Sequence, residues 1–178
     1  ERAGFSVDFK ALPAKRALHS SNEGLVDGDV ARIPSILLTY KNLRRINVVL
    51  SNLEGFAFTL NNTLAEVDDN MLKRYRVGAI RGSLWSEARL KGIDATYVTN
   101  NEILFKRLLN GHFDIILLNR RSALALFQKF AGAVSNVRRL EPSLYSSVIH
   151  HYVHKKNEDI IPRLERALSE LIEEHGWE

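Results

Sequence analysis

The 178-residue chain has no cysteine, one methionine and only four prolines. Without a thiol it has no cysteine nucleophile, no thiolate metal site and no disulfide. That fits a bacterial periplasmic protein and a cytosolic one equally. Long apolar runs are missing as well. None approaches the roughly 18 residues that a membrane-spanning helix needs, so membrane insertion is not expected, and stretches such as 115–118 read as buried strands. There is also no block of one charge. The 25 Lys and Arg exceed the 21 Asp and Glu, giving a formal net charge of +4, but the basic residues stand in scattered pairs: Arg44-Arg45, Arg120-Arg121 and Arg138-Arg139. Aromatics do not interleave with them as on single-strand nucleic-acid platforms, so no nucleic-acid partner is expected. No nucleophile elbow or phosphate loop occurs, and Gly78-Ala79-Ile80-Arg81-Gly82 lacks the glycine spacing that a dinucleotide pyrophosphate requires. Neither catalysis nor a cofactor is expected.

What is present is a phrase used twice. Glu23-Gly24-Leu25-Val26-Asp27 precedes Gly28-Asp29-Val30-Ala31-Arg32, and Asn110-Gly111-His112-Phe113-Asp114 precedes Ile115-Ile116-Leu117-Leu118-Asn119. In each, a helix-like segment stops at a glycine, which takes the left-handed cap conformation that other residues resist. An aspartate three residues later opens an apolar, strand-like run. With 45% hydrophobic residues the chain can build a real core, and two similar α/β lobes are expected.

Along the chain, Phe5, Val7 and Phe9 alternate with polar residues as in a half-buried strand. Pro13 opens a helix that stops near Gly24, and a strand over 26–33 ends at Pro34. Residues 48–50 and 56–60 read as two strands joined by a turn at 51–55. A short helix over 67–75 leads into strand 77–80, a helix from Gly82-Ser83, strand 95–98 and an amphipathic helix capped by Thr99 or Asn100. Strand 114–118, a helix over 122–130, a late strand over 145–153 and a final helix capped at Asn157-Glu158-Asp159 follow. This βαβαβα order implies a parallel sheet with right-handed crossovers. The fold class is therefore α/β, two-lobed, with mostly parallel sheets and a discontinuous first lobe. Lobe 1 is expected over 1–60 and 143–178 and lobe 2 over 61–142, with hinge segments near 56–62 and 139–145. A ligand belongs at the carboxyl ends of the strands.

Several groups suit a ligand. Gly82-Ser83 at a helix start offers unpaired backbone N–H groups to an anion, or Ser83 is simply the N-cap. Arg81 precedes that turn. Arg32, Arg44 or Arg16 could grip a carboxylate bidentately. Trp85 could line the cleft or pack. His150, Tyr152 and His154 would share one face of a strand with His151 on the other, a weak arrangement for a metal. Asp27 and Asp114, following helix caps, are expected to bond their own turns.

The phrases Leu12-Pro13-Ala14-Lys15-Arg16-Ala17-Leu18, Glu23 to Gly28, Tyr40-Lys41-Asn42-Leu43-Arg44-Arg45, Val77 to Ser83 and Leu109 to Asp114 carry, in this order and spacing, a family resemblance from about Gly4 to Leu171. The chain resembles bacterial extracellular solute-binding protein family 3, the two-lobed receptors of polar amino acid ABC transporters. The resemblance implies reversible capture of a small polar ligand, an amino acid or organic acid, by closing lobes in the periplasm and delivery to a membrane permease. A sensor module, or a binding-incompetent homologue acting through protein contacts, is the alternative. It implies a carboxylate clamp at Arg44 or Arg32, turn donors at Gly82 and Ser83 beside Arg81, and an ammonium acceptor at Asn119. An amide there cannot neutralise an ammonium, which sets this chain apart. The resemblance also places the family's first strand, and a signal peptide, upstream of Glu1.

Overall fold

The computed structural model describes residues 2–176. The chain divides into two compact units, Glu1–Asn52 with Ser147–Glu178, and Leu53–Ser146.

The first unit begins with helix α1 (Ala14–Asn22), which follows Pro13 at φ −54° and buries Leu18 and Ser21. It ends where Gly24 turns to φ 71°, letting Leu25 N–H reach back to the Ser20 carbonyl. Strands β1 (Gly28–Arg32) and β2 (Leu43–Arg45) follow, with a single turn of 3-10 helix opened by Pro34 between them. Both pair antiparallel with the last residues of a long strand, Arg138–His154, numbered β7 here. Gly28 sits opposite Val153 on one side of it, and Leu43 opposite His154 on the other. Helix Ile161–His175 (α6) closes this unit. It starts not from an Asn157–Asp159 side-chain cap, as the sequence suggests, but from a 3-10 turn over Lys155–Ile160.

The alternation at Phe5, Val7 and Phe9 does not make a strand. No ladder is formed there, and Val7 and Phe9 are 64% and 75% exposed. Alternation marks a strand only where a neighbouring strand supplies the hydrogen bonds. Of the two expected strands, 48–50 is not a strand, and 56–60 falls at the end of β3 (Ser51–Thr59), which also takes in the expected turn at 51–55. Gly55, read as part of a turn, lies in its middle because the indole of Trp85 leaves no room for a Cβ.

The second unit is built on the order β7–β3–β6–β4–β5, where β4 is Val77–Ile80, β5 Ala95–Val98 and β6 Ile115–Asn119. The expected parallel arrangement is found in β5–β4–β6. Strand β3 runs antiparallel to β6, with Gly55 opposite Asn119 and Thr59 opposite Ile115. Both faces are covered, so β6 is a continuous apolar run. Phe56, Phe58, Ile116 and Leu118 meet Leu104, Phe105 and Leu108 of helix α4 (Asn101–Leu109) and Ala123 and Leu126 of helix α5 (Arg120–Lys129). On the other face Ala57, Ile115 and Leu117 pack with Leu72 of helix α2 (Asp69–Arg74) and with Trp85 and Leu90 beside helix α3 (Leu84–Arg89). Asp68 and Asn100 cap α2 and α4 through Met71 N–H and Ile103 N–H. Asp114 does not bond its own turn. Its carboxylate takes Arg76 Nε, Nη2 and backbone N–H at 2.7 to 3.0 Å, pinning the start of β4 beside the start of β6. Asp27 likewise accepts from Asn157 across the fold.

Candidate functional site

At the carboxyl end of β4 the chain turns through Arg81, Gly82 and Ser83, with Gly82 at φ 85°. The turn's donors are already engaged. Arg81 N–H reaches the Val98 carbonyl at 2.8 Å and Ser83 N–H the Ile80 carbonyl at 3.2 Å. Gly82 N–H donates to the Glu87 carboxylate at 2.7 Å. The chain's own anion thus occupies the place expected for a ligand anion, and Ser83 makes no side-chain cap. The Arg81 side chain is exposed.

Asn119 ends β6 at the same edge of the sheet. Its side-chain oxygen accepts Ser122 N–H at 2.8 Å, so the amide serves as the N-cap of α5. Next to it, Arg120 pairs with Glu54 of β3 at 3.2 Å. Trp85 is buried and stacks on Tyr145, ring centres 5.8 Å apart and planes 24° from parallel. The aromatic therefore packs against Gly55 within its own unit. A recess of about 500 Å³ in this unit, lined by Asn61, Asn62, Ser135, Asn136 and Arg138, lies beyond the Thr59 end of β3, away from Gly55 and Asn119.

In the first unit the two competing arginines differ. Arg44 on β2 meets Glu158 at 3.3 Å and donates to the carbonyls of Lys41 and Leu43. Arg32, at the end of β1, lies 3.0 Å from Asp29, with Arg32 Nε facing Asp29 Oδ2. The contact is an ion pair without hydrogen-bond geometry, so both atoms are buried and unbonded. Arg16 is exposed on α1. Two of the three histidines of β7 engage backbone groups. His150 Nδ1 lies 3.0 and 2.9 Å from the Ile46 and Val48 carbonyls, and His154 Nδ1 accepts Lys156 N–H. Burial lowers the pKa of His151, partly opposed by the Asp29 charge, and raises that of Tyr152.

The structure thus gathers Arg81, Gly82 and Ser83 into one turn, sets Asn119 at the same end of that sheet, and puts Arg32 and Arg44 on separate strands of the other unit. Sequence reasoning missed Asp29 and Glu87 as partners. Only their spacing, three residues before Arg32 and five after Gly82, signals them.

Solved structures with the same arrangement of elements are numerous. An ancestral arginine-binding protein bound to arginine superposes with a TM-score of 0.80 at 18% identity, over 99% of this chain and 79% of that one. The substrate-binding protein of an amino acid ABC transporter gives 0.79 at 16% identity, over 98% and 77%. The chain has the fold of amino-acid ABC transporter substrate-binding proteins. The arginine-, lysine-, histidine-binding protein ArtJ from Geobacillus stearothermophilus shares this binding-protein fold, with a TM-score of 0.78 at 13% identity over 99% and 77%. No family model and no curated protein matches the sequence. Among the described residues of this binding-protein fold, no helix is long and apolar enough to cross a membrane.

Proposed function

We propose that this chain captures a small polar, carboxylate-bearing ligand in the periplasm and delivers it to an ABC-type permease, without chemistry. The observation that carries this reading is the match of nearly the whole chain, rather than one subdomain, to amino-acid-binding proteins. The lobes of the reading are 1–60 with 143–178 and 61–142, hinged near 56–62 and 139–145. Arg32 is the better anchor of the two arginines: Arg44 is held by a carboxylate and two carbonyls, whereas among the described residues the Arg32 side chain has one poorly formed contact. Arg81 and Ser83 flank the ligand, and Asn119 offers it an amide rather than a charge. Similar proteins are described as bound to arginine or glutamine, so amino acids head the candidate ligands.

One observation favours the second reading, a sensor module or binding-incompetent homologue that works through protein contacts. Gly82 N–H and the Asn119 side-chain oxygen are both consumed by the chain itself. A thermal-shift screen against the proteinogenic amino acids and C3–C6 organic acids separates the two. A ligand at 100 times its Kd adds about 2.7 kcal/mol to the folded state, a rise of about 5 to 11 °C at roughly 2–4 °C per kcal/mol for a chain of this size. A flat screen on the folded protein would reject solute capture in favour of protein contacts.

A further inference from the structure

The buried side-chain polar atoms that lack a hydrogen-bond partner among the described residues are Asp29 Oδ2, Arg32 Nε, His151 Nδ1 and Tyr152 Oη. All four sit on one strand pair, β1 with β7. Buried polar groups are nearly always satisfied, and each exception calls for a reason.

The backbone here is arranged to create the Asp29–Arg32 contact. In a regular strand, residues three apart point to opposite faces. Asp29 is opposite Tyr152, however, and Arg32 is opposite His150, so three steps on β1 match two on β7. The extra residue is a bulge at Ala31, which takes φ 61°, the left-handed region that an alanine occupies only at a cost. The bulge turns Arg32 back beside Asp29. The pair it produces is poor: 3.0 Å apart, with no hydrogen bond at either facing atom. Arg76 and Asp114 show what the same two groups achieve when free to align, with two side-chain hydrogen bonds at 2.7 and 3.0 Å. The Asp29 side chain is 5% exposed and that of Arg32 23% exposed, so the guanidinium keeps an open side while its internal carboxylate is sealed in.

We propose that Asp29 is a built-in competitor for the ligand: its carboxylate holds the Arg32 guanidinium in a misaligned pair that an incoming ligand carboxylate must displace. The proposal rests on the solute-capture reading. An external carboxylate that meets the guanidinium fork squarely forms the stronger, bidentate pair. A carboxylate that cannot align does no better than Asp29 and is turned away. Asp29 thus acts as a specificity-determining residue that raises the threshold for binding.

The test is calorimetric titration of the wild type, Asp29→Asn, Arg32→Gln and the double variant with the amino acid and organic acid panel above. Removing the internal charge leaves the Arg32 cation without a counter-ion, so Asp29→Asn should tighten the best carboxylate ligand about tenfold, equivalent to about 1.4 kcal/mol. It should also admit panel members that the wild type excludes. Arg32→Gln should abolish binding, and Asp29→Asn should then have no effect in that background. Asp29→Ser, smaller and uncharged, is the second variant if the asparagine form does not fold, with tightening again expected. Unchanged or weaker binding in Asp29→Asn or Asp29→Ser, with Arg32→Gln still abolishing it, would overturn the competitor role and leave solute capture standing. Absence of binding in the wild type and the Asp29 variants alike would overturn both.

Discussion

Gly55 offers a severe test of how the second unit is packed. A Cβ built on it would lie 2.5, 2.6 and 2.8 Å from three ring carbons of Trp85, where carbon atoms rest at about 3.5–4.0 Å. The indole would have to withdraw by about 1 Å. It cannot do so freely, because it is 6% exposed and stacked on Tyr145. Overpacking of this kind costs about 1–3 kcal/mol, and at roughly 2–4 °C per kcal/mol Gly55→Ala should lower the melting temperature by about 2 to 12 °C. The assay is thermal unfolding followed by circular dichroism, with Trp85 fluorescence recorded in a Trp177→Phe background. The emission should shift as the stacked indole moves. Trp85→Leu, which removes the obstructing ring, should make the second substitution almost neutral. A Gly55→Ala protein that melts within 1 °C of the wild type with unchanged emission would refute this account of the strand. So would equal losses in the two backgrounds.

Three further substitutions follow from side chains at the strand ends. Asn119→Ala removes the α5 cap and should cost about 1 kcal/mol in denaturant unfolding. Asn119→Asp keeps the cap, adds a negative charge near a helix start and supplies the missing ammonium acceptor, so it should retain stability and tighten α-amino acids more than organic acids. Equal effects on both ligand classes in calorimetry would contradict that role. Hydrogen bonds from Arg76 hold the Asp114 carboxyl below its usual range. A depressed folded value means that this contribution to stability is present above the unfolded pKa of about 3.9 and is lost as pH falls through the folded value. NMR titration should show the Asp114 midpoint rising towards the unfolded value in Arg76→Ala, and an unmoved midpoint would refute the pairing.

The elements whose periodicity follows from local chemistry were legible in the sequence. Helix α4 carries its own cap at Asn100 and its own apolar stripe, and β4, β5 and β6 are short apolar runs between turn residues. What was not legible depends on partners distant in the chain. Gly55 reads as a turn until Trp85 is placed against it, and Phe5 to Phe9 reads as a strand although no ladder receives it. Strand β2 is three residues long and polar at two of them, and exists because the end of β7 accepts it. At the candidate site, residue types marked positions but not the chain's own groups that occupy them. Gly82 is a backbone donor at a helix start, yet Glu87 has already taken it. Arg32 and Arg44 look alike in sequence, and only Asp29 and Glu158 tell them apart.

The division of strand β7 between the two units has a consequence for how the molecule is made. Gly28 pairs with Val153, 125 positions later, and everything from Leu53 to Ser146 belongs to the other unit. A ribosome releases all of that insert before it releases the strand that β1 awaits. Closing so long a loop from a disordered chain carries a large entropic penalty, but an insert already folded brings its two ends together, since β3 and β7 are neighbours in its sheet. The later-encoded unit is therefore expected to complete first and hand its last strand back to the earlier one. Until then β1 waits for the residues of β7 that it pairs with.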